Sequence, residues 1–214
     1  MKRTPSLPIM IALLAALAAI GVATLTAWFQ ISDKSDTDTS MVLPTVKIGG
    51  PFTLTDQTGK RVTQADFAGQ YTLVYFGYTY CPDVCPTELS IMTSALVELA
   101  DKSPELETQI TPIFITVDPK RDTVDVMAEY VDNFHPRMVG LTGSAKDAMV
   151  AAKAYRVFYS LGEADEDGDY PVDHSSFLYF MGPDGAYRTM FKHNTPPLQL
   201  AKTLKSILEA DQNK

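Results

Sequence analysis

The chain has 214 residues, 45% of them hydrophobic and 21% charged, with two cysteines, one tryptophan and a formal net charge of −8. That is ordinary globular composition, and it excludes a disordered chain, a collagen-like repeat and a disulfide-stapled scaffold. With Lys2 and Arg3 set aside, 16 basic residues stand against 26 acidic ones and no Lys/Arg run appears, so nucleic acid is not an expected partner.

Ile9 to Phe29 run 21 residues without a charge. As a helix they would reach about 31 Å, enough for a hydrocarbon core of about 30 Å. The cations precede this stretch and acidic residues follow it, which predicts a cytoplasmic N-terminus over 1–8, a transmembrane anchor over 9–29 and an outward-facing domain. A cleaved signal peptide is the competing reading. The length of the run, and its end in Trp28 and Phe29, favour an uncleaved anchor in a bacterial inner membrane with the domain in the periplasm. Residues 30–45, rich in Ser, Thr and Asp, read as a flexible tether, and residues 46–214 as one domain.

Within that domain, Phe52–Leu54 and Arg61–Thr63 flank a turn, Asp56-Gln57-Thr58-Gly59, and predict a hairpin. The β-branched and aromatic runs over 71–76 and 110–117 read as buried parallel strands, each followed by a helical pattern. Leu89, Met92, Leu96 and Leu99 mark the first helix. Val124, Met127, Val131 and Phe134 mark the second, with Asp122 or Thr123 as its cap. A strand over 139–141, a helix over 144–155, a hairpin of 177–181 with 187–191 and a last helix over 197–208 complete the pattern. The expected fold is α/β: a mostly parallel central sheet with hairpin elements at both ends and helices on both faces.

Both cysteines lie in Tyr80-Cys81-Pro82-Asp83-Val84-Cys85-Pro86, after a predicted central strand and before a helix. Open α/β sheets place their chemistry there. At i, i+4 the thiols would share one side of a helical turn, close enough for a disulfide or for one metal ion, and a helix N-terminus favours thiolate. A purely structural disulfide is the plainer alternative. Of the three histidines, His174 adjoins Asp173 just before a strand signal, so a carboxylate could orient it. His135 suits a structural role at a helix end, and His193 reads as a solvated loop residue. Asp118, Arg121 and Asp122 could shape a contact surface or simply serve turn and cap chemistry.

Three stretches, YFGYTYCPDVCPTEL (75–89), FITVDPKRDT (114–123) and YPVDHSSFLYFMGPDG (170–185), resemble the Sco/SenC family, membrane-anchored copper proteins of cytochrome c oxidase assembly. The likeness covers about residues 48–208. It implies a thioredoxin-like fold and one copper ion per chain, Cu(I) and also Cu(II), held by the residues that match the family's ligands: Cys81, Cys85 and His174. It further implies a metallochaperone for the dinuclear copper site of oxidase subunit II. The alternative is a periplasmic thiol–disulfide oxidoreductase that reduces that subunit's cysteines, with Cys81 and Cys85 as its redox pair. An upstream periplasmic copper carrier and a thioredoxin-like reductase would be further partners. The donor set agrees with this, since two thiolates and an imidazole are soft and structural zinc would want a fourth ligand.

Overall fold

The structure is a computed structural model and describes residues 47–213. The expected anchor over 9–29 and tether over 30–45 lie outside those residues; among the described ones, no helix is long and apolar enough to cross a membrane. In chain order the elements are β1 (Thr53–Asp56), β2 (Arg61–Thr63), a 3-10 turn (Gln64–Phe67), β3 (Tyr71–Gly77), α1 (Val84–Lys102), α2 (Pro104–Glu107) and β4 (Ile110–Thr116). Then follow α3 (Val124–Val131), β5 (Val139–Thr142), α4 (Ala145–Ala154), β6 (Tyr159–Leu161), β7 (Val172–His174), β8 (Leu178–Met181), β9 (Tyr187–Phe191) and α5 (Pro197–Gln212).

Seven strands form one sheet in the order β2-β1-β5-β4-β3-β8-β9. Only β5, β4 and β3 run parallel; the pairings of β1 with β2 and β5, and of β8 with β3 and β9, are antiparallel. The sheet is therefore mixed rather than mostly parallel. Tight turns join β1 to β2 and β8 to β9, and a tight turn can only return a strand antiparallel, whereas the three central strands are linked through helices. Every residue of β3 and β4 is buried, as strands covered on both faces require.

The helices begin where local chemistry allows. Thr123 caps α3 by accepting the Val126 N–H, and Ser144 closes a reciprocal capping box with Asp147 at the start of α4. α1 buries Leu89, Met92, Leu96 and Leu99, the stripe read from the sequence, and packs on α5 through that side of the molecule. A second, two-stranded sheet was not anticipated: β6 pairs antiparallel with β7, so that Tyr159 faces His174 and Leu161 faces Val172. With three residues per strand and an acidic connection, it carries too short an alternation to stand out from a loop.

Candidate metal centre

The parallel strand β3 delivers the chain to the cysteines. Its last residue, Gly77, approaches Cys85 so closely that a Cβ there would lie 2.7 Å from the Cys85 Sγ and 3.0 Å from Phe114. Only glycine leaves room for the sulfur. Helix α1 then starts at Val84, with Asp83 in the N-cap position making no side-chain cap bond. Cys81 fills that role: its Sγ accepts the Cys85 N–H at 3.4 Å. The two thiols thus do not share a helical turn as the spacing suggested. Cys81 precedes the helix, and its sulfur sits at the positive end, where an orphan N–H and the helix dipole favour an anion.

Both cysteines are free, Cys81 half-buried and Cys85 fully buried. The hydrogen bond from the Cys85 thiol holds the Cys81 pKa down to about 3, helped by His174 and by the N–H groups of Cys85 and Asp83. The same bond, together with burial, pushes the Cys85 thiol well up. In the reduced state the pair keeps one proton, on Cys85.

His174 arrives from the other side, as the last residue of β7. Its Nε2 lies 3.4 Å from the Cys85 Sγ, and its Nδ1 lies 3.2 Å from the Ser175 carbonyl oxygen. Nε2 is the nitrogen that faces the sulfurs: protonated, it donates to the Cys81 thiolate, and with the proton on Nδ1, given to that carbonyl, it has a lone pair to offer a metal. Asp173, expected to orient the ring, is exposed: neighbouring residues of a strand point to opposite sides, and a carbonyl does the orienting instead. Tyr75 and Tyr78 stand edge-on to the imidazole at 6.0 and 5.9 Å. The ligand atoms of Cys81, Cys85 and His174 all lie within 4.8 Å of one another.

The segment after β4 braces these pieces together. Buried Asp122 accepts from the Thr79 N–H at 3.0 Å, the Thr79 hydroxyl at 2.6 Å and the Thr116 hydroxyl at 2.5 Å, which fixes the loop before Cys81; burial raises its pKa. Asp118, equally buried, accepts the Tyr170 hydroxyl at 2.9 Å and the Arg121 Nε at 2.5 Å. The Arg121 guanidinium in turn lies over Tyr170 at 3.9 Å and Tyr80 at 5.0 Å. Arg121 therefore touches both the approach to Cys81 and the strand leading to His174. These residues form an internal brace, neither a free contact surface nor, for Asp122, a helix cap.

The other histidines stand apart from this cluster. His135 is buried, 3.4 Å from Glu107, and accepts the Arg137 N–H; burial lowers its pKa. His193 is an exposed loop residue, as read, and it also places Nδ1 2.6 Å from the carboxylate of Glu88, a fully buried residue of α1. Glu88 escaped the sequence reading. Its one signal was a charge interrupting an otherwise apolar helical face.

A family model described as SCO1/SenC matches residues 41–209. The chain is 48% identical over 160 residues to the mitochondrial SCO2 homolog of Danio rerio, covering 75% of this chain and 57% of that protein. It is 43% identical over 169 residues to the human mitochondrial SCO1 homolog, covering 78% and 55%. It thus spans little more than half the length of these relatives. Among solved structures it is similar to Arabidopsis thaliana ScoI with copper bound, at 42% identity and a TM-score of 0.70 over 76% of this chain and 99% of that one. Bradyrhizobium japonicum ScoI with copper bound gives 40% identity and a TM-score of 0.67 over 74% and 98%.

Proposed function

The chain belongs to the SCO1/SenC family, and from that premise we propose that it is a copper metallochaperone for cytochrome c oxidase. Cys81, Cys85 and His174 hold one copper ion per chain as cargo. The observation that carries this reading is the convergence, within 4.8 Å, of two thiols and an imidazole that come from separate elements. Such a soft, three-donor set suits Cu(I), and with an added oxygen donor it also accepts Cu(II). Two copper-bound structures of similar chains support the choice of metal.

The chain's own residues prepare the uptake. Cys81 is already a thiolate at neutral pH, so the proton that loading displaces from the two thiols is the one on Cys85. The destination is the dinuclear copper site of oxidase subunit II. The domain reaches it from a single-pass anchor over 9–29 through the tether over 30–45, with residues 46–214 in the periplasm. An upstream periplasmic copper carrier supplies the ion, and a thioredoxin-like reductase keeps the two cysteines reduced.

One observation favours the alternative reading, a thiol–disulfide oxidoreductase acting on that subunit's cysteines. Cys81 is the more exposed thiol and an anion, while Cys85 is buried and protonated, which is the division between an attacking and a resolving thiol. Both readings need the cysteines; only carriage needs His174. The test is to titrate the reduced chain with Cu(I), expecting one equivalent bound and none once Cys81 and Cys85 are joined in a disulfide. Oxidase activity is then measured in a deletion strain complemented with His174→Ala under limiting copper, with protein level checked in parallel. Failure to restore activity supports carriage. Full activity with His174→Ala and none with Cys81→Ser assigns the chain to thiol reduction.

A further inference from the structure

One buried charge near the metal centre has no role in the reading above. Glu88 follows Cys85 by three residues on α1, and both are fully buried. At that spacing their Cβ atoms are about 5–6 Å apart on one helix face. One carboxylate oxygen, Oε1, accepts the Asn194 N–H at 2.7 Å and lies 2.6 Å from the His193 Nδ1. The other, Oε2, is buried with no hydrogen-bond partner among the described residues. Asn194 holds a left-handed backbone, φ 60°, to turn its N–H toward the carboxylate. His193 and Asn194 offset the charge from one side only, and the Tyr75 hydroxyl, which the Glu88 charge helps to keep protonated, lies 3.9 Å from the Cys85 Sγ.

We propose that Glu88 sets the redox preference of the Cys81–Cys85–His174 centre, its negative charge favouring the more oxidised occupant: Cu(II) over Cu(I), and the disulfide over the reduced pair. The copper half of this inference rests on the carriage reading; the thiol half does not. Reduction of Cu(II) adds one electron and leaves a more negative site beside the carboxylate. Reduction of the disulfide by glutathione breaks the Cys81–Cys85 bond as two electrons and one proton enter. It leaves the Cys85 thiol and the Cys81 thiolate, while two glutathiones join in their own disulfide and release the second proton to solvent. Each reduction places negative charge near Glu88, and a unit charge at this range in a protein interior is worth about tenfold or more in an equilibrium constant.

The decisive variant is Glu88→Gln, which keeps an oxygen for the Asn194 N–H and removes the charge. In the full chain, competition against chelators should show the ratio of Cu(II) to Cu(I) affinity falling about tenfold. In glutathione buffers, with no metal present, the dithiol–disulfide midpoint should rise by about 30 mV, the same tenfold for two electrons. Asn194→Gly relaxes the left-handed turn while retaining the charge and should move neither quantity. His193→Ala withdraws the ring nitrogen from the carboxylate and should move both in the opposite direction to Glu88→Gln, which also serves if the Gln variant does not fold. Unchanged midpoints in Glu88→Gln and His193→Ala, or an equal shift in Asn194→Gly, would overturn the proposal. A chain that binds no copper yet shows the midpoint shift retains Glu88 in this role and removes copper carriage instead.

Discussion

The two sides of the metal centre are built to different standards. Cys81 and Cys85 hang on the best-packed part of the molecule: β3 is buried throughout, and α1 buries seven of its residues, Cys85 among them. His174 hangs on a hairpin of two three-residue strands outside the main sheet, in which Val172 alone is buried. A lone two-stranded hairpin is marginal in water, so the position of the imidazole depends on what ties the hairpin down. Those ties are the Tyr170 hydroxyl on Asp118, Arg121 across Tyr170, the hydrogen bond between Tyr78 and the Val172 backbone, and the packing of Val172, Tyr159 and Tyr170 against the core. Two of the three candidate donors are held by the core and the third by a brace.

That contrast can be broken in order of severity. Replacing Cys85 by Ser in the core-held half should lower Cu(I) affinity by several orders of magnitude while the domain keeps its fold, read by competition titration with unfolding monitored in parallel. The two thiols themselves should separate sharply. Iodoacetamide should modify Cys81 at nearly the same rate at pH 5 and pH 8, whereas an ordinary thiol slows by about a thousandfold over that interval, and Cys85 should stay unmodified. A rate at Cys81 that falls steeply below pH 8 would remove the thiolate from the cap position.

The sign of the accompanying stability change follows from the same shifts. The unfolded chain protonates Cys81 below about 8.5 and the folded chain only near 3, so this group adds stability as pH rises across that window and loses all of it below about 3. Cys85 acts oppositely above about 8.5, where the unfolded thiol ionises and the folded one does not. Reduced chain should therefore lose stability, relative to the disulfide form, toward both acid and alkali in a denaturant series.

On the braced half, His174→Ala should cost about a hundredfold in copper affinity, or roughly 2.8 kcal/mol, and leave the alkylation of Cys81 intact. The gentlest cut is Tyr170→Phe, which deletes one hydrogen bond to Asp118. It should speed amide exchange in residues 159–174 by roughly fivefold, for a loss of ~1 kcal/mol, with no change in exchange along β3. Equal acceleration in both regions would show that the hairpin and the core open as one unit.

How much of this could be read beforehand follows the same division. The elements that bury a stripe declared themselves: Leu89, Met92, Leu96 and Leu99 give α1, and the unbroken run 71–76 gives β3, because burial imposes a period on sequence. The cysteines were legible by position, between a central strand and a helix. The geometry between them was not, since nothing in a spacing of four says that one sulfur will stop short of the helix and cap it. The hairpin under His174 left almost no periodic trace, so His174 stood out chiefly through the likeness of its flanking residues to the Sco/SenC motifs. Asp118, Asp122 and Glu88 were harder still. Each is a buried carboxylate whose partner, Tyr170, Thr79 or His193, lies 52, 43 or 105 residues away along the chain. Turn propensity explains an Asp after a strand just as readily.

The bare backbone at Gly77 has a consequence for the order in which a bound ion is let go. Because the Cys85 sulfur already fills the space a side chain would take, it has no inward direction of travel, and any displacement of it must also disturb Phe114 and Tyr75. Moving His174 with its hairpin costs a few hydrogen bonds and the contacts of Val172, Tyr159 and Tyr170, and Cys81 is half-buried in the loop before α1. If the chain carries copper on Cys81, Cys85 and His174, a soft cation leaving for an incoming pair of thiolates would shed its nitrogen first, exchange the Cys81 sulfur next and break from Cys85 last. On that reading the handover would have a direction and a final step, both set by a residue that contributes no atom to the ligand set.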